Sequence, residues 1–175
     1  MSEPILRLRS VKLDDGKVEI AAIETHQATS DEKEILLKSD EAPRPDMPDT
    51  LAQLAHDVRR LLELPSTWAK DALAVKKVVW SFSEKTGVRG ATICCQAKLA
   101  CADAPLVFNT PHLAFEQYSE GGNAPVMPDD IIEHLETLEL AALDFLAGKR
   151  AQLSIFDRLD EIQAEDRARV REPVQ

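Results

Sequence analysis

Apolar and polar residues repeat in the same order in the two halves of the chain. In each half, three strand-like runs precede a segment with helical spacing, and residues 14–16 give a tight-turn signal between the first two runs. The strand-like runs are 5–13, 17–25 and 34–38 in the first half and 74–82, 88–99 and 105–109 in the second. Aligning the first runs sets Val11 against Trp80 and Leu13 against Phe82. Two β-β-β-α units are therefore predicted.

A repeated Met-Pro-Asp sequence, at 47–49 and 127–129, marks the start of each predicted helix. Thr50 and Asp130 each have Gln or Glu three residues later, which is the spacing of a capping box. The apolar positions then recur at i, i+4, i+7 and i+11 in both helices: Leu51, Ala55, Val58 and Leu62, and Ile131, Leu135, Leu138 and Ala142. One face of each helix is predicted to be buried.

Three strands and one helix bury little apolar surface alone, so the two units are predicted to combine. The expected fold is α+β, with a six-stranded sheet and two helices on one of its faces. Residues 1–147 would form this single domain from units at about 1–64 and 74–147, followed by a C-terminal tail or helix at 148–175. The long connection 111–126 is predicted to be a loop. The duplicated layout resembles one domain of a sliding clamp, which is also built from paired β/α units, in a circularly permuted order.

The tail begins with a short apolar peptide. Residues Gln152, Leu153, Ser154, Ile155 and Phe156 resemble the Gln-Leu-Ser/Asp-Leu-Phe peptide by which many bacterial replication and repair proteins dock onto the DNA sliding clamp. The resemblance implies that Leu153, Ile155 and Phe156 enter an apolar groove of the clamp. The Gln152 amide would fix the register of the peptide through hydrogen bonds.

Two interpretations of this peptide are open. Gly148 stands where a helix C-cap is expected, and Lys149 and Arg150 suit the negative end of a helix dipole, so the peptide is predicted to begin just after a helix ends. The charged remainder of the tail would then be a solvated helix or a frayed end. However, Leu153 and Phe156 also have helical spacing, which would fit an amphipathic helix packed on the body.

The charge of the chain limits its partners. There are 21 Lys and Arg residues against 31 Asp and Glu residues, a net charge of −10, and the acidic excess lies in residues 1–147. Such a body repels nucleic acid unless a local basic stripe overrides its charge. Arg7, Arg9, Lys76 and Lys77 on the two first strands are the candidate stripe, although exposed strands also carry such residues simply as solvent-facing groups. Direct DNA binding is therefore a secondary hypothesis.

Motifs of catalysis are absent from the sequence, which has no phosphate-wrapping Gly-rich loop, nucleophile elbow or His-Glu-x-x-His helix. His112, Tyr118 and Glu120 share the long connection, but nothing in that segment supplies a nucleophile, a base and an orienting group together. No catalytic residue, cofactor or metal is expected.

The expected compartment is the cytoplasm. No charged-then-apolar signal segment precedes the first strand, and no apolar run reaches membrane-spanning length, so no membrane contact is expected. Cys94, Cys95 and Cys101 lack metal-type spacing and are interpreted as small core residues in a reducing cell.

Together these features favour a non-catalytic accessory protein of DNA replication, recombination or repair that binds the sliding clamp through residues 152–156. A short acidic chain with Gly-Lys-Arg-Ala-Gln leading into such a peptide resembles phage and prophage proteins encoded among replication functions. Clamp binding would either recruit the body or compete with other clamp ligands. Open sheet edges are also expected to support a homodimer. The alternative is a small cytoplasmic α+β enzyme or assembly module whose tail packs or oligomerises.

Overall fold

The computed structural model describes residues 5–26, 31–68, 71–118, 122 and 124–151. In this part of the chain the elements are β1 (Ile5–Asp14), β2 (Lys17–His26), β3 (Asp31–Ser39), α1 (Asp46–Leu61), β4 (Leu73–Phe82), β5 (Arg89–Leu99), β6 (Ala102–Asn109), β7 (Leu113–Ala114) and α2 (Asp129–Leu146). The order β-β-β-α occurs twice, so the predicted α+β class is confirmed. The difference between the halves is β7, which lies inside the connection predicted to be a loop.

The strands form one antiparallel sheet in the order β3-β2-β1-β4-β5-β6. At its centre β1 pairs with β4, where Ser10, Val11 and Lys12 face Val79, Val78 and Lys77. The short strand β7 pairs with β5 at Gly90 and Ala91, next to the part of β5 that is covered by β6. Each unit therefore contributes half of one shared sheet.

Each first strand carries one β-bulge. The register of β1 against β2 shifts at Arg9, and that of β4 against β5 shifts at Lys76. Because a bulge inserts one extra residue, the buried side chains that flank it lie three residues apart instead of two. These buried residues are Leu8 and Val11 in β1 and Val75 and Val78 in β4. Val11 is thus the counterpart of Val78 and not of Trp80, which corrects the alignment of the two strands.

Both helices pack on one face of the sheet and against each other, forming a single core. The predicted apolar faces are buried, except that Leu62 lies just past the end of α1 and is partly exposed. Burial of each large apolar side chain contributes roughly 1.5–3 kcal/mol, so these faces supply much of the driving force for folding. In the described part of the chain, neither helix has the length and apolar character needed to cross a bilayer.

The helices begin differently from the prediction. The first helix starts at Asp46, and the Thr50 hydroxyl donates a 2.6 Å bond to the Asp46 carbonyl inside the helix. The second starts at Asp129, after Pro128, and neither helix start has a side-chain cap bond. The prediction of capping boxes at Thr50 and Asp130 is therefore wrong. Acidic residues in both first turns interact favourably with the helix dipoles instead.

Both helices end in the same motif. Backbone amides of Leu64 and Lys149 each donate a 2.9 Å bond to the carbonyl five residues earlier, which closes a Schellman turn. The residue before each of these amides has a left-handed backbone, with φ of +50° at Glu63 and +90° at Gly148. The structure therefore places Gly148 at the end of α2, where the sequence predicted a C-cap.

Candidate functional sites

The chain that leads into the C-terminal peptide is fixed to the body. The Arg150 guanidinium donates to the Phe145 carbonyl and the Glu41 carboxylate, and it lies 3.6 Å from the centre of the Phe145 ring. The Ala151 amide donates a 3.2 Å bond to the Ala42 carbonyl. These contacts tie the end of α2 to the segment between β3 and α1. Arg150 and Ala151, the last described residues before the peptide, are therefore held against the body.

The predicted clamp-binding peptide itself lies outside the described residues: Gln152, Leu153, Ser154, Ile155 and Phe156. Within the described part, the buried apolar core runs from Leu8 to Phe145 and draws on both units. The peptide's role as a clamp ligand stays a prediction, as does the alternative of a packed helix.

The four basic residues of the predicted stripe lie in two groups. Arg7 and Arg9 are near the start of β1, whereas Lys77 faces Lys12 near its end. Lys12 lies five positions after Arg7 along the extended strand, a distance of roughly 16 Å. Arg9 and Lys76 are also the bulge residues of their strands. The structure thus brings Arg7 close to Arg9 but does not bring this pair together with the two lysines.

Two of these cations have partners within the body. The Arg7 guanidinium lies 4.2 Å from the centre of the Phe82 ring, and Lys76 Nζ donates a 2.9 Å bond to Asp14 Oδ1. This hydrogen bond lowers the pKa of Asp14. Arg89, which the sequence reasoning missed, shares a shallow depression with the two arginines of β1 and donates a 2.6 Å bond to Glu139. Arg7, Arg9 and Arg89 therefore line one depression, in which Arg89 is paired with Glu139.

An open cleft of about 430 Å³ lies at the end of the β4–β5 hairpin. In this cleft Ser81 Oγ lies 2.6 Å from His112 Nε2. Gly90, which faces Ser81 across the strands, makes the contact sterically possible. A methyl group at Gly90 would lie 2.6 Å from His112 Nε2 and 2.9 Å from the Leu113 carbonyl oxygen, both too close. A glycine inside an apolar strand is a known signal of such close approach, and it could have pointed to this pair.

The Ser81–His112 contact has the geometry of a nucleophile with its general base. Within the described residues, Ser81 is the hydrogen-bond partner of His112, and no carboxylate bonds the other imidazole nitrogen. Glu120, which shares the long connection, lies outside the described part. The arrangement therefore supplies two of the three groups of a catalytic triad.

Asp130, at the start of α2, contacts α1 and not His112. Asp130 accepts a hydrogen bond from Arg60, which lowers the pKa of Asp130. The buried carboxylate of Asp57 lies 2.6 Å from His134 Nδ1 and 3.7 Å from the Arg60 guanidinium. A buried carboxylate requires such partners to offset its desolvation. These charged groups therefore join α1 to α2.

The three cysteines occupy different environments. Cys95 is fully buried, and burial raises the pKa of its thiol to about 12. Cys94 is half-buried on the opposite face of β5, and Cys101 is exposed at the turn before β6. The interpretation as core residues is therefore right for Cys95 and wrong for Cys94 and Cys101, which lie outside the buried core.

Comparisons of the chain with protein-family models, curated sequences and solved structures give no match. The resemblance of the duplicated layout to a sliding-clamp domain is not supported. The chemistry of the chain's own residues is the basis for assigning a function.

Proposed function

We propose that this chain is a non-catalytic accessory protein of DNA replication, recombination or repair that binds a bacterial sliding clamp through Gln152, Leu153, Ser154, Ile155 and Phe156. The observation that carries the proposal is the match of these five residues to a clamp-binding peptide directly after the end of α2. The proposal places the protein in the cytoplasm and favours a phage or prophage origin.

Contacts at the end of the body support a tethering role. The helix ends at Leu146 and its last turn closes at Gly148, and Arg150 and Ala151 are bound to the segment before α1. A peptide that leaves from a fixed point holds its body at high local concentration near the partner, without any further contact by the body. A clamp bound in this way would carry the acidic α+β domain beside the DNA.

The charge of the body favours indirect contact with DNA. The chain has a net charge of −10, and Arg7, Lys76 and Arg89 are engaged with side chains of the body. Non-specific DNA affinity comes mainly from cations that neutralise phosphates. We therefore assign DNA contact to the clamp, and we assign the clamp contact to the peptide.

A titration of the fluorescently labelled full-length chain with purified bacterial sliding clamp tests the proposal. We expect saturable binding with a dissociation constant in the micromolar range, and competition by a synthetic Gln-Leu-Ser-Ile-Phe peptide. Gln152→Ala should weaken binding because the register-fixing amide is lost, while Gln96→Ala on β5 serves as a control for loss of a glutamine. Absence of binding by the wild-type chain would overturn the proposal.

A second candidate function rests on the Ser81–His112 pair. In an ester hydrolase, Ser81 Oγ would attack the ester carbonyl carbon while His112 Nε2 takes the hydroxyl proton and passes it to the leaving alcohol. Water would then release the acid from the serine, with the same imidazole as base. A fluorophosphonate probe should label wild-type protein at Ser81 and should fail to label Ser81→Ala or His112→Gln. Equal labelling of all three proteins, or of none, would remove this candidate.

A further inference from the structure

The two outer strands of the sheet differ in how they are protected. Five of the nine residues of β3 are charged, whereas β6 has one charged residue, Asp103, among its eight. Charged side chains are a common means of preventing edge strands from pairing with other chains. Among the described residues, no strand pairs with the outer edge of β6. The outer edge of β6 is therefore the less protected of the two.

The backbone groups available on the outer edge of β6 follow from its pairing with β5. The Thr110 amide donates a 2.9 Å bond to the Ile93 carbonyl, so Thr110 points its backbone groups towards β5. Hydrogen-bonding residues alternate along an antiparallel strand. Phe108 and Leu106 consequently face β5, while Val107 and Asn109 direct their N–H and C=O groups outwards.

Side chains on this edge are apolar and incompletely covered. Leu106 and Phe108 are opposite the buried residues Ala97 and Cys95, so they lie on the helix-covered face, where Leu106 is still 44% exposed. Val107 projects from the other face and is 62% exposed. The edge thus offers apolar side chains on both faces together with unpaired backbone groups.

We infer that β6 pairs with β6 of a second copy of this chain, antiparallel and centred on Val107. In this register the Val107 N–H of each copy donates to the Val107 carbonyl of the other, and the Asn109 N–H donates to the Pro105 carbonyl of the other. Leu106 lies beside Phe108 of the second copy, and the two Val107 side chains meet on the opposite face. Leu106, Val107 and Phe108 of each copy thereby gain an apolar neighbour.

The sequence of β6 favours a second copy as the occupant. A two-fold contact needs a self-complementary surface, and the run from Ala104 to Asn109 has no charge that would face a like charge across the axis. Pro105 has no N–H to donate on the outer edge, which limits the pairing to a short segment. The inference is independent of the clamp proposal, because it uses no residue of the C-terminal peptide.

Analytical ultracentrifugation of the full-length chain tests the inference. We expect wild-type protein to dimerise, and we expect Val107→Lys to weaken self-association by about tenfold or more because two like charges meet at the axis. Leu36→Lys is the matched control, since Leu36 is 61% exposed on the opposite edge strand and lies outside the interface. At concentrations low enough for the wild type to be monomeric, both variants should keep the wild-type melting temperature because both positions are exposed.

Disulfide formation provides a second measurement of the register. In a Cys101→Ser background, Val107→Cys should form an intermolecular disulfide under mild oxidation, because residues of a hydrogen-bonded antiparallel pair have Cα atoms about 5.5 Å apart. The inference would be overturned if the wild-type chain were still monomeric at about 100 μM, roughly 100-fold above a micromolar dissociation constant. An undiminished dimer in Val107→Lys would also overturn it.

Discussion

The two helix C-termini provide a reciprocal prediction, because the same turn contains Glu63 in one unit and Gly148 in the other. A left-handed backbone brings the Cβ of an ordinary residue too close to the following carbonyl, whereas glycine has no Cβ. Replacing Glu63 by Gly should therefore stabilise the protein, and replacing Gly148 by Ala should destabilise it.

The magnitudes follow from two opposing effects. The left-handed conformation costs roughly 1–2 kcal/mol for a residue with a side chain. Glycine avoids this cost, but it loses more backbone freedom on folding, which offsets roughly 0.5–1 kcal/mol of the stability gained. Glu63→Gly should thus add about 0.5–1 kcal/mol to the free energy of unfolding. Gly148→Ala, with the same offset, should remove at least as much, about 0.5–1.5 kcal/mol, since φ there is +90° and lies farther from the left-handed minimum near +57°.

Steric clash does not complicate the second variant, because a Cβ built at Gly148 meets no other atom within 4 Å. Urea denaturation should shift the unfolding midpoint in opposite directions for the two variants while the dependence on denaturant stays unchanged. For a chain of this size, each kcal/mol corresponds to about 2–4 °C in melting temperature. Shifts of the same sign, or a neutral Gly148→Ala variant, would refute this account of the helix ends.

Two further predictions concern side chains. Cys101 should react with a thiol reagent in the folded protein, whereas Cys95 should react only after unfolding because burial raises the pKa of its thiol to about 12; mass spectrometry that finds Cys95 labelled in folded protein would contradict this. Hydrogen bonding to Lys76 lowers the pKa of Asp14, so the pair stabilises the fold above the unfolded-state pKa of Asp14 and loses this contribution as the pH falls through the lowered value. Lys76→Met should therefore reduce the urea midpoint of unfolding at neutral pH but not in acid. An equal reduction at both pH values would contradict a stabilising role for the Asp14–Lys76 pair.

The strands and helices could be predicted because each element buries one face. Strand alternation and helical spacing are local consequences of that burial, and they identified β1 to β6 and both helices. The two-residue strand β7 is too short to show a period. The bulges at Arg9 and Lys76 were missed because a bulge residue needs no particular side chain, and its effect on spacing looks like an irregularity of the pattern.

The candidate sites were less predictable because they depend on contacts between distant residues. Ser81 and His112 are 31 residues apart, and they meet only because β5 lies between them with Gly90 at the crossing point. The four cations of the predicted stripe lie in two groups for a similar reason. Antiparallel pairing of β1 with β4 places Arg7 and Lys77 at opposite ends of the contact, which a comparison of sequence positions cannot show.

The measurement that tests the central claim most directly combines clamp affinity and thermal stability for a Leu153→Ala/Phe156→Ala double variant. If these side chains are clamp anchors, their loss should cost roughly 2–4 kcal/mol each in binding and abolish detectable association, while the melting temperature stays nearly unchanged. If they instead belong to a packed helix, their loss should reduce stability by about 3–5 kcal/mol each. We predict wild-type binding, no binding by the double variant and matching melting temperatures. A wild-type chain that does not bind clamp, or a double variant that melts far earlier, would contradict the proposed function.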